Sequence, residues 1–277
     1  MNIEMRYYNV YYYCNIVSNI IEHQTEEYLT KLAEFSHPFM EEVPMNFSKE
    51  SALIQFCRWS VRGIMEEDME EELQELKKTI ENFGKDNKKM LRNAFWSDGT
   101  YFSFEIERAI EHYFNEKTRF FDWLIEYDKD YLLEDAFEEY LFGLWTGGKY
   151  EDAVIRIADE MFYILFQNRE FLLKFNHYMS CTHKYKFSHV YIPQWVKRAV
   201  FFRDRGRCVF CKNDLSGEWG IVEENSLQYD HIVSLEQGGM NDISNIQLVC
   251  GKCNKKKGDR CYTDNIYQNW FIINEDN

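Results

Sequence analysis

The sequence is poor in proline and short of positive charge, and it has no long apolar run. Three of its 277 residues are proline, and 32 Lys and Arg stand against 47 Asp and Glu, giving a net charge of −15. No stretch of eighteen or more apolar residues occurs, so we expect no transmembrane helix and no membrane partner. The first residues lack a basic segment followed by an apolar one, so we expect no secretory signal and a cytoplasmic location.

The shortage of positive charge argues against a nucleic-acid-binding protein, because affinity for phosphate comes mainly from Lys and Arg. The acidity is unevenly distributed, however. Residues 191–277 carry 11 Lys and Arg against 12 Asp and Glu, whereas the preceding residues carry 21 against 35. Two basic runs, 197–207 and 252–260, therefore lie in a nearly neutral C-terminal part. Such a run is either a phosphate-binding surface or an ordinary solvated face.

Apolar residues recur at helical spacing through the first two-thirds of the chain. Within 69–83 they step by three and four, which is typical of the buried face of a helix, and Gly84 predicts a break after it. The dipeptide Gly147-Gly148 predicts the end of a later helix. We predict a mainly α protein whose residues 1–185 form an all-helical domain of about six or seven helices. Its acidity predicts a protein partner or self-association.

The eight cysteines include two C-x-x-C pairs, Cys208/Cys211 and Cys250/Cys253. Without a secretion signal the expected compartment is reducing, where paired C-x-x-C motifs indicate metal binding before disulfides. Two thiolates from each tight turn can complete a closed tetrahedral site. The sequence therefore predicts a structural Zn²⁺ held by these four cysteines.

A second group of polar residues lies between and just after the cysteine pairs: Asp230 with His231, then Asn245 and Asn254. The surrounding segments read PQWVKRAVFFRDRGRCVFC, DHIVSLEQGG, NDISNIQLVC and CGKCNKKKGD. In order and spacing these segments resemble the HNH endonuclease family, the zinc-stapled branch of the ββα-metal nucleases. The resemblance covers about a quarter of the chain, and the helical part shows none.

The local pattern predicts the same order of elements. Pro193 suits the first turn of a helix that ends near Arg203. Strands are predicted from Leu227 to Leu235 and from Ile246 to Val249, followed by a short helix over 251–258. We predict that residues 186–277 form a small ββα-metal (HNH) domain with the four-cysteine zinc site and a short C-terminal tail.

The resemblance implies a catalytic role for each polar residue. His231 would be the general base, since a neutral imidazole titrates close to operating pH. Asp230 and Asn254 would hold one Mg²⁺ or Mn²⁺, because carboxylate and amide oxygens are hard ligands. Asn245 would brace the loop and help to orient the base. The last motif position, often histidine in the family, is Asn254 here, which favours Mg²⁺.

The resemblance also implies hydrolysis of DNA, double-stranded in our expectation, leaving 5′-phosphate and 3′-hydroxyl ends. Next to the motif, the basic runs predict phosphate contacts from Arg203, Arg205, Arg207, Lys255, Lys256, Lys257 and Arg260. A nuclease joined to a large acidic domain suggests an effector under external control, with antiviral (antiphage) defence as an analogy. Two alternatives stay open: a zinc-stapled DNA- or protein-binding module without turnover, and an RNase.

Overall fold

The computed structural model describes residues 9–23, 45–83, 95–97, 100–126, 132–182, 186–217 and 226–264. In this part the protein is mostly helical, as the sequence predicts. The helices are α1 Val10–His23, α2 Ala52–Phe83, α3 Glu105–Phe114, α4 Phe120–Glu126, α5 Leu133–Thr146, α6 Lys149–Gln167, α7 Arg169–Thr182, α8 Gln194–Arg203 and α9 Gly251–Lys257. The strands are β1 Trp96–Ser97, β2 Thr100–Tyr101, β3 Leu227–His231 and β4 Ile246–Cys250.

Helix boundaries follow local chemistry. Ser51 precedes α2, and its hydroxyl accepts a hydrogen bond from the Ile54 N–H at 3.2 Å, as an N-cap does. The predicted stop at Gly147-Gly148 is confirmed: α5 ends at Thr146, and Gly148 takes a φ of +77°. The predicted break at Gly84 lies outside the described residues. None of the described helices is long and apolar enough to cross a membrane.

The chain divides into two compact units. The first comprises Met1–Tyr13 and Cys57–Met161, and the second comprises Cys14–Phe56 and Phe162–Asn277. Neither unit is continuous in sequence, because each combines two separate segments of the chain. The predicted division into a 1–185 recognition domain and a 186–277 nuclease domain stays a prediction.

The first unit is built on the apolar periodicity of its helices. The predicted seam of α2 is confirmed, since Leu73, Leu76 and Ile80 are buried. Aromatic rings fill the core beside α3 and α4; the rings of Phe104 and Phe137, for example, lie 4.1 Å apart between centroids. The short antiparallel hairpin β1–β2 is an exception to the predicted all-helical architecture.

A buried carboxylate ties three helices of the first unit together. Glu107 on α3 is 3% exposed. It accepts hydrogen bonds from the N–H of Phe104 at 2.9 Å, from the N–H of Phe120, and from the Tyr140 hydroxyl at 3.0 Å. Burial raises the pKa of Glu107 to about 7, although the three donors act to lower it.

The second unit contains the pair β3–β4, which is antiparallel, with Asp230 opposite Gln247 and His231 opposite Ile246. The predicted strand order and the helix after it are confirmed, since α9 begins directly after β4. The first strand is shorter than predicted. It ends at His231 because the backbone N–H and C=O of Val233 both bond the Asn245 side chain instead.

We expect Glu107 to make the first unit less stable as pH rises from about 4.5 to about 7. The folded-state pKa lies above the ordinary value of 4.5, so the folded protein binds this proton more tightly than the unfolded chain. The stabilisation is complete below pH 4.5 and is lost as pH rises through 7, with a size on the order of 3 kcal/mol. Urea unfolding at pH 5 and pH 8 measures it. Glu107→Gln should lack this component, while Glu111→Gln, at an exposed position of the same helix, should keep it; equal pH dependence in all three proteins would contradict the assignment.

Candidate functional site

The four cysteines of the two C-x-x-C pairs come together in the second unit. Cys208 and Cys211 lie on the turn after α8, Cys250 ends β4, and Cys253 lies on α9. Their four Sγ atoms lie within 4.8 Å of one another, and those of Cys211 and Cys250 are 3.8 Å apart. A tetrahedral ion bonded to sulfur at about 2.3 Å places the sulfurs about 3.8 Å apart. The cluster therefore fits the predicted structural zinc.

Backbone contacts fix both halves of this cluster. The N–H of Val209 donates to the C=O of Leu248 at 2.9 Å, which holds the first cysteine turn against β4. Cys250 is the N-cap of α9, and its sulfur accepts from the Cys253 N–H at 3.4 Å. Among the described residues, these four cysteines are the one group of three or more His, Cys, Asp or Glu side chains whose ligand atoms lie close enough together to hold a metal ion.

The face of β3 that carries Gln228 and Asp230 is covered by α9. Asn254 Nδ2 donates to Gln228 Oε1 at 2.8 Å, and Lys257 Nζ lies 3.1 Å from Asp230 Oδ2. Asn254 and Lys257 are three residues apart and share one face of the helix. Because its amide nitrogen bonds Gln228, Asn254 retains its amide oxygen as the atom that can bind a cation. One carboxylate and one amide oxygen on this seam suit a Mg²⁺ that keeps several waters.

His231 ends β3 and is 8% exposed. Its Nε2 lies 3.2 Å from Asn241 Oδ1. The Asn241 amide nitrogen donates to the carbonyl oxygens of Met45 at 2.9 Å and Ser188 at 3.0 Å, which fixes the amide so that its oxygen faces the imidazole. The proton must then be on Nε2, which leaves the lone pair of Nδ1 unprotonated. Burial lowers the pKa of His231, so the imidazole is neutral at pH 7.

Asn245 is fully buried and spans the loop between the strands. Its Nδ2 donates to the carbonyl oxygens of Val233 and Met240, both at 3.0 Å, and its Oδ1 accepts from the Val233 N–H at 2.8 Å. Gly239 allows this packing, since a Cβ there would lie 1.9 Å from the Val233 oxygen. Asn245 thus contacts the backbone of the loop, whereas the side chain that contacts His231 is Asn241. The role of Asn245 in orienting the base stays a prediction.

Two of the predicted phosphate-binding residues are buried and occupied. The Arg203 guanidinium donates to both carboxylate oxygens of Asp204, at 2.9 and 3.0 Å, and to the Ile246 carbonyl at 2.6 Å. Lys257 is 3% exposed and donates to the His231 carbonyl at 2.8 Å. Arg203 and Lys257 are therefore removed from the predicted phosphate-binding residues, because a phosphate would have to displace their buried partners. The members that are exposed are Arg205, Arg207, Lys255, Lys256 and Arg260.

No sequence pattern predicts the ion-pair network that holds this region. The Asp204 carboxylate is fully buried and accepts from Arg169 on α7 at 2.9 Å, from Arg203, and from the Leu248 N–H at 2.9 Å. Burial acts to raise the pKa of Asp204, but the two guanidinium groups outweigh it and hold the pKa below its usual range. Nothing in a single sequence links Arg169 to a residue 35 positions away.

We predict that Cys250→Ser lowers the bound zinc well below one ion per chain and melts the β4–α9 region, because this metal site and its fold form together. Cys181→Ser, which changes an exposed cysteine of α7 outside the cluster, should keep the zinc. Elemental analysis of the purified proteins gives zinc per chain, and thermal unfolding reports the fold. A Cys250→Ser protein with full zinc content would refute the site.

Comparison with known proteins agrees with this geometry. Residues 208–260 match the HNH endonuclease family, and the N-terminal region matches no family. Neither the curated proteins nor the solved structures contain a match to this chain. The resemblance seen in the sequence is therefore confirmed for the C-terminal segment, and it supports a nuclease with nucleic acid as substrate.

Proposed function

We propose that the protein is a metal-dependent endonuclease that hydrolyses DNA phosphodiester bonds. The observation that carries the proposal is the arrangement at the end of β3. There a neutral histidine, with its Nε2 bonded to Asn241, adjoins a carboxylate that faces α9. A base and an anionic metal ligand on neighbouring residues are what phosphodiester hydrolysis needs.

In this mechanism His231 Nδ1 accepts a proton from a water molecule as the water oxygen attacks phosphorus. The bond from phosphorus to the 3′ oxygen breaks, the departing oxygen takes up a proton from solvent, and the products carry a 5′-phosphate and a 3′-hydroxyl. Asn241 keeps the proton on Nε2 and holds the ring, so it acts as a positioning residue. Burial keeps the His231 imidazole neutral at pH 7, so its Nδ1 lone pair is available to accept the proton.

Asp230 and Asn254 would hold the Mg²⁺ or Mn²⁺. When bound, the ion neutralises charge on the phosphate and stabilises the departing oxygen. Gln247 Nε2 donates to Asp230 Oδ2 at 3.0 Å, and Lys257 lies close to the same oxygen. These two donors orient the carboxylate and leave its other oxygen for the ion. Lys257 thus serves the catalytic site rather than the outer phosphate backbone.

The exposed residues of the basic runs supply contacts to the DNA backbone: Arg205, Arg207, Lys255, Lys256 and Arg260. Such contacts position the strand without reading its sequence. These five positive side chains are few for a chain whose net charge is −15. We therefore propose that a protein partner, or self-association through the acidic helical part, contributes to DNA affinity.

The burial of His231 supports a nuclease whose activity is controlled by other parts of the chain or by a partner. Asn241, which contacts the imidazole, is itself held by carbonyl groups of Met45 and Ser188, two segments far from it in sequence. A change in either segment would alter the position of Asn241 and the access of water to His231. This arrangement suits an effector that cuts on demand, and defence against viruses is one setting for such an enzyme.

The test is cleavage of supercoiled plasmid by the full chain with Mg²⁺. We expect His231→Ala to lower the rate by about 10²- to 10⁴-fold, the usual contribution of general base catalysis. Asn241→Ala should keep part of the activity, because the base remains but loses its positioning contact. His177→Ala, at an exposed histidine of α7, should cut like the wild type.

Equal cutting by His231→Ala and the wild type would rule out His231 as the base. A wild type that binds zinc and DNA but cuts neither DNA nor RNA would favour the binding module without turnover. Cutting of RNA alone would assign the same chemistry to an RNase.

A further inference from the structure

A cavity of about 580 Å³ lies beside the zinc cluster, between α9, the turn at Phe210 and residues 260–264. This volume falls in the range of sites that bind small molecules or single groups of larger ligands, roughly 300–1,000 Å³. It is assigned no role in the mechanism above. Its lining combines aromatic rings with basic side chains, and that combination points to its ligand.

The aromatic part is a stacked pair. The rings of Phe210 and Tyr262 are nearly parallel, with an angle of 4° and centroids 5.1 Å apart. Phe210 covers one face of the Tyr262 ring, and Tyr262 is 53% exposed. Its backbone is held on both sides: the N–H donates to Ile232 at 3.3 Å, and the C=O accepts from Gln247 at 3.1 Å. The ring is therefore a fixed platform on which a base can stack.

The basic part comes from the end of α9. Lys256 and Arg260 line the cavity and are exposed. Arg260 Nε donates to the Lys257 carbonyl at 3.0 Å, which fixes the guanidinium at the rim. Asp264, an acidic residue in the lining, has its carboxylate 2.9 Å from Lys212 Nζ. The rim of the cavity at the end of α9 thus offers two positive side chains, Lys256 and Arg260, to a phosphate.

The cavity adjoins the candidate catalytic residues. Lys257 belongs to its lining, and its Nζ lies 3.1 Å from Asp230 Oδ2. Gln247 Nε2 bonds both the Tyr262 carbonyl and Asp230 Oδ2, at 3.1 and 3.0 Å. A ligand in the cavity therefore lies one side chain away from the carboxylate proposed to bind the metal.

We propose that this cavity binds one unpaired nucleotide of the DNA strand, with its base stacked on Tyr262 and its phosphate at Lys256 and Arg260. The proposal deepens the proposed nuclease function and rests on it. A base inside a duplex has both faces covered by its neighbours, so it cannot stack on a protein ring. The substrate is accordingly DNA with unpaired nucleotides, such as single strands, flaps or bubbles, in preference to uniform duplex.

The experiment measures binding of a fluorescein-labelled 12-nucleotide single strand and of the matching blunt duplex by anisotropy. The full chain carries His231→Ala, so that binding is read without cleavage. We expect tighter binding of the single strand. Tyr262→Ala should weaken single-strand binding by about 5- to 100-fold, the range for loss of one base stack, with little effect on the duplex. Tyr262→Phe should bind within about two-fold of the parent, since a phenyl ring stacks equally well.

Phe202→Ala is the matched control, because the Phe202 side chain is aromatic, 75% exposed on α8 and outside the cavity. This variant should bind the single strand and the duplex as the parent does. Zinc content confirms that each variant is folded. Unchanged single-strand binding in Tyr262→Ala, or equal loss for single strand and duplex, would overturn the proposal. Tighter binding of an RNA strand with the same dependence on Tyr262 would overturn the assignment to DNA.

The two proposals fail separately. A chain that never cuts plasmid but binds single strands through Tyr262 keeps this subsite and loses the nuclease function. If cleavage depends on His231 but Tyr262→Ala leaves single-strand binding unchanged, the nuclease function is supported and the subsite is not.

Discussion

The buried carboxylate of Asp204 is the contact on which the candidate site depends. It joins three elements of the second unit: α7 through Arg169, α8 through Arg203, and β4 through the Leu248 N–H. Loss of one partner from a buried ion pair costs about 3–5 kcal/mol, because the remaining charges stay buried without compensation. Here two guanidinium groups would be left. The position of β4, and with it the cysteine turn and α9, rests on this network.

A ββα module of this size cannot bury enough apolar surface to be stable alone. The zinc cluster is one remedy, and contacts from distant parts of the chain are another. Asp242 accepts from the Ala52 N–H at 2.8 Å, and Asn176 on α7 bonds Ser244 at 3.3 Å. The loop that carries Asn241 is therefore built by residues outside the family segment. The Asn241 amide is held in the same way by Met45 and Ser188, and these bonds fix the tautomer of His231. Contacts from distant parts of the chain thus set both the loop and the catalytic geometry.

Features with a local or short-range signal were predictable from the sequence. The spacing of the cysteines predicted the metal cluster, because two cysteines separated by two residues can bind one ion from a single turn. The three-to-four spacing of apolar residues gave the buried face of α2. Features set by contacts between distant residues were not predictable. Arg203 and Lys257 have the composition of a phosphate-binding run, yet their guanidinium and ammonium groups are buried against Asp204 and Asp230. Only the fold decides which charges of a run face solvent.

Crystals grown with MnCl₂ and measured at the manganese and zinc absorption edges would show which residues hold each metal. We predict a zinc peak among the four cysteine sulfurs, at about 2.3 Å from each. We also predict a separate manganese peak about 2 Å from an Asp230 carboxylate oxygen and from the Asn254 amide oxygen. Manganese absent from Asp230, or bound there without Asn254, would contradict the proposed catalytic site.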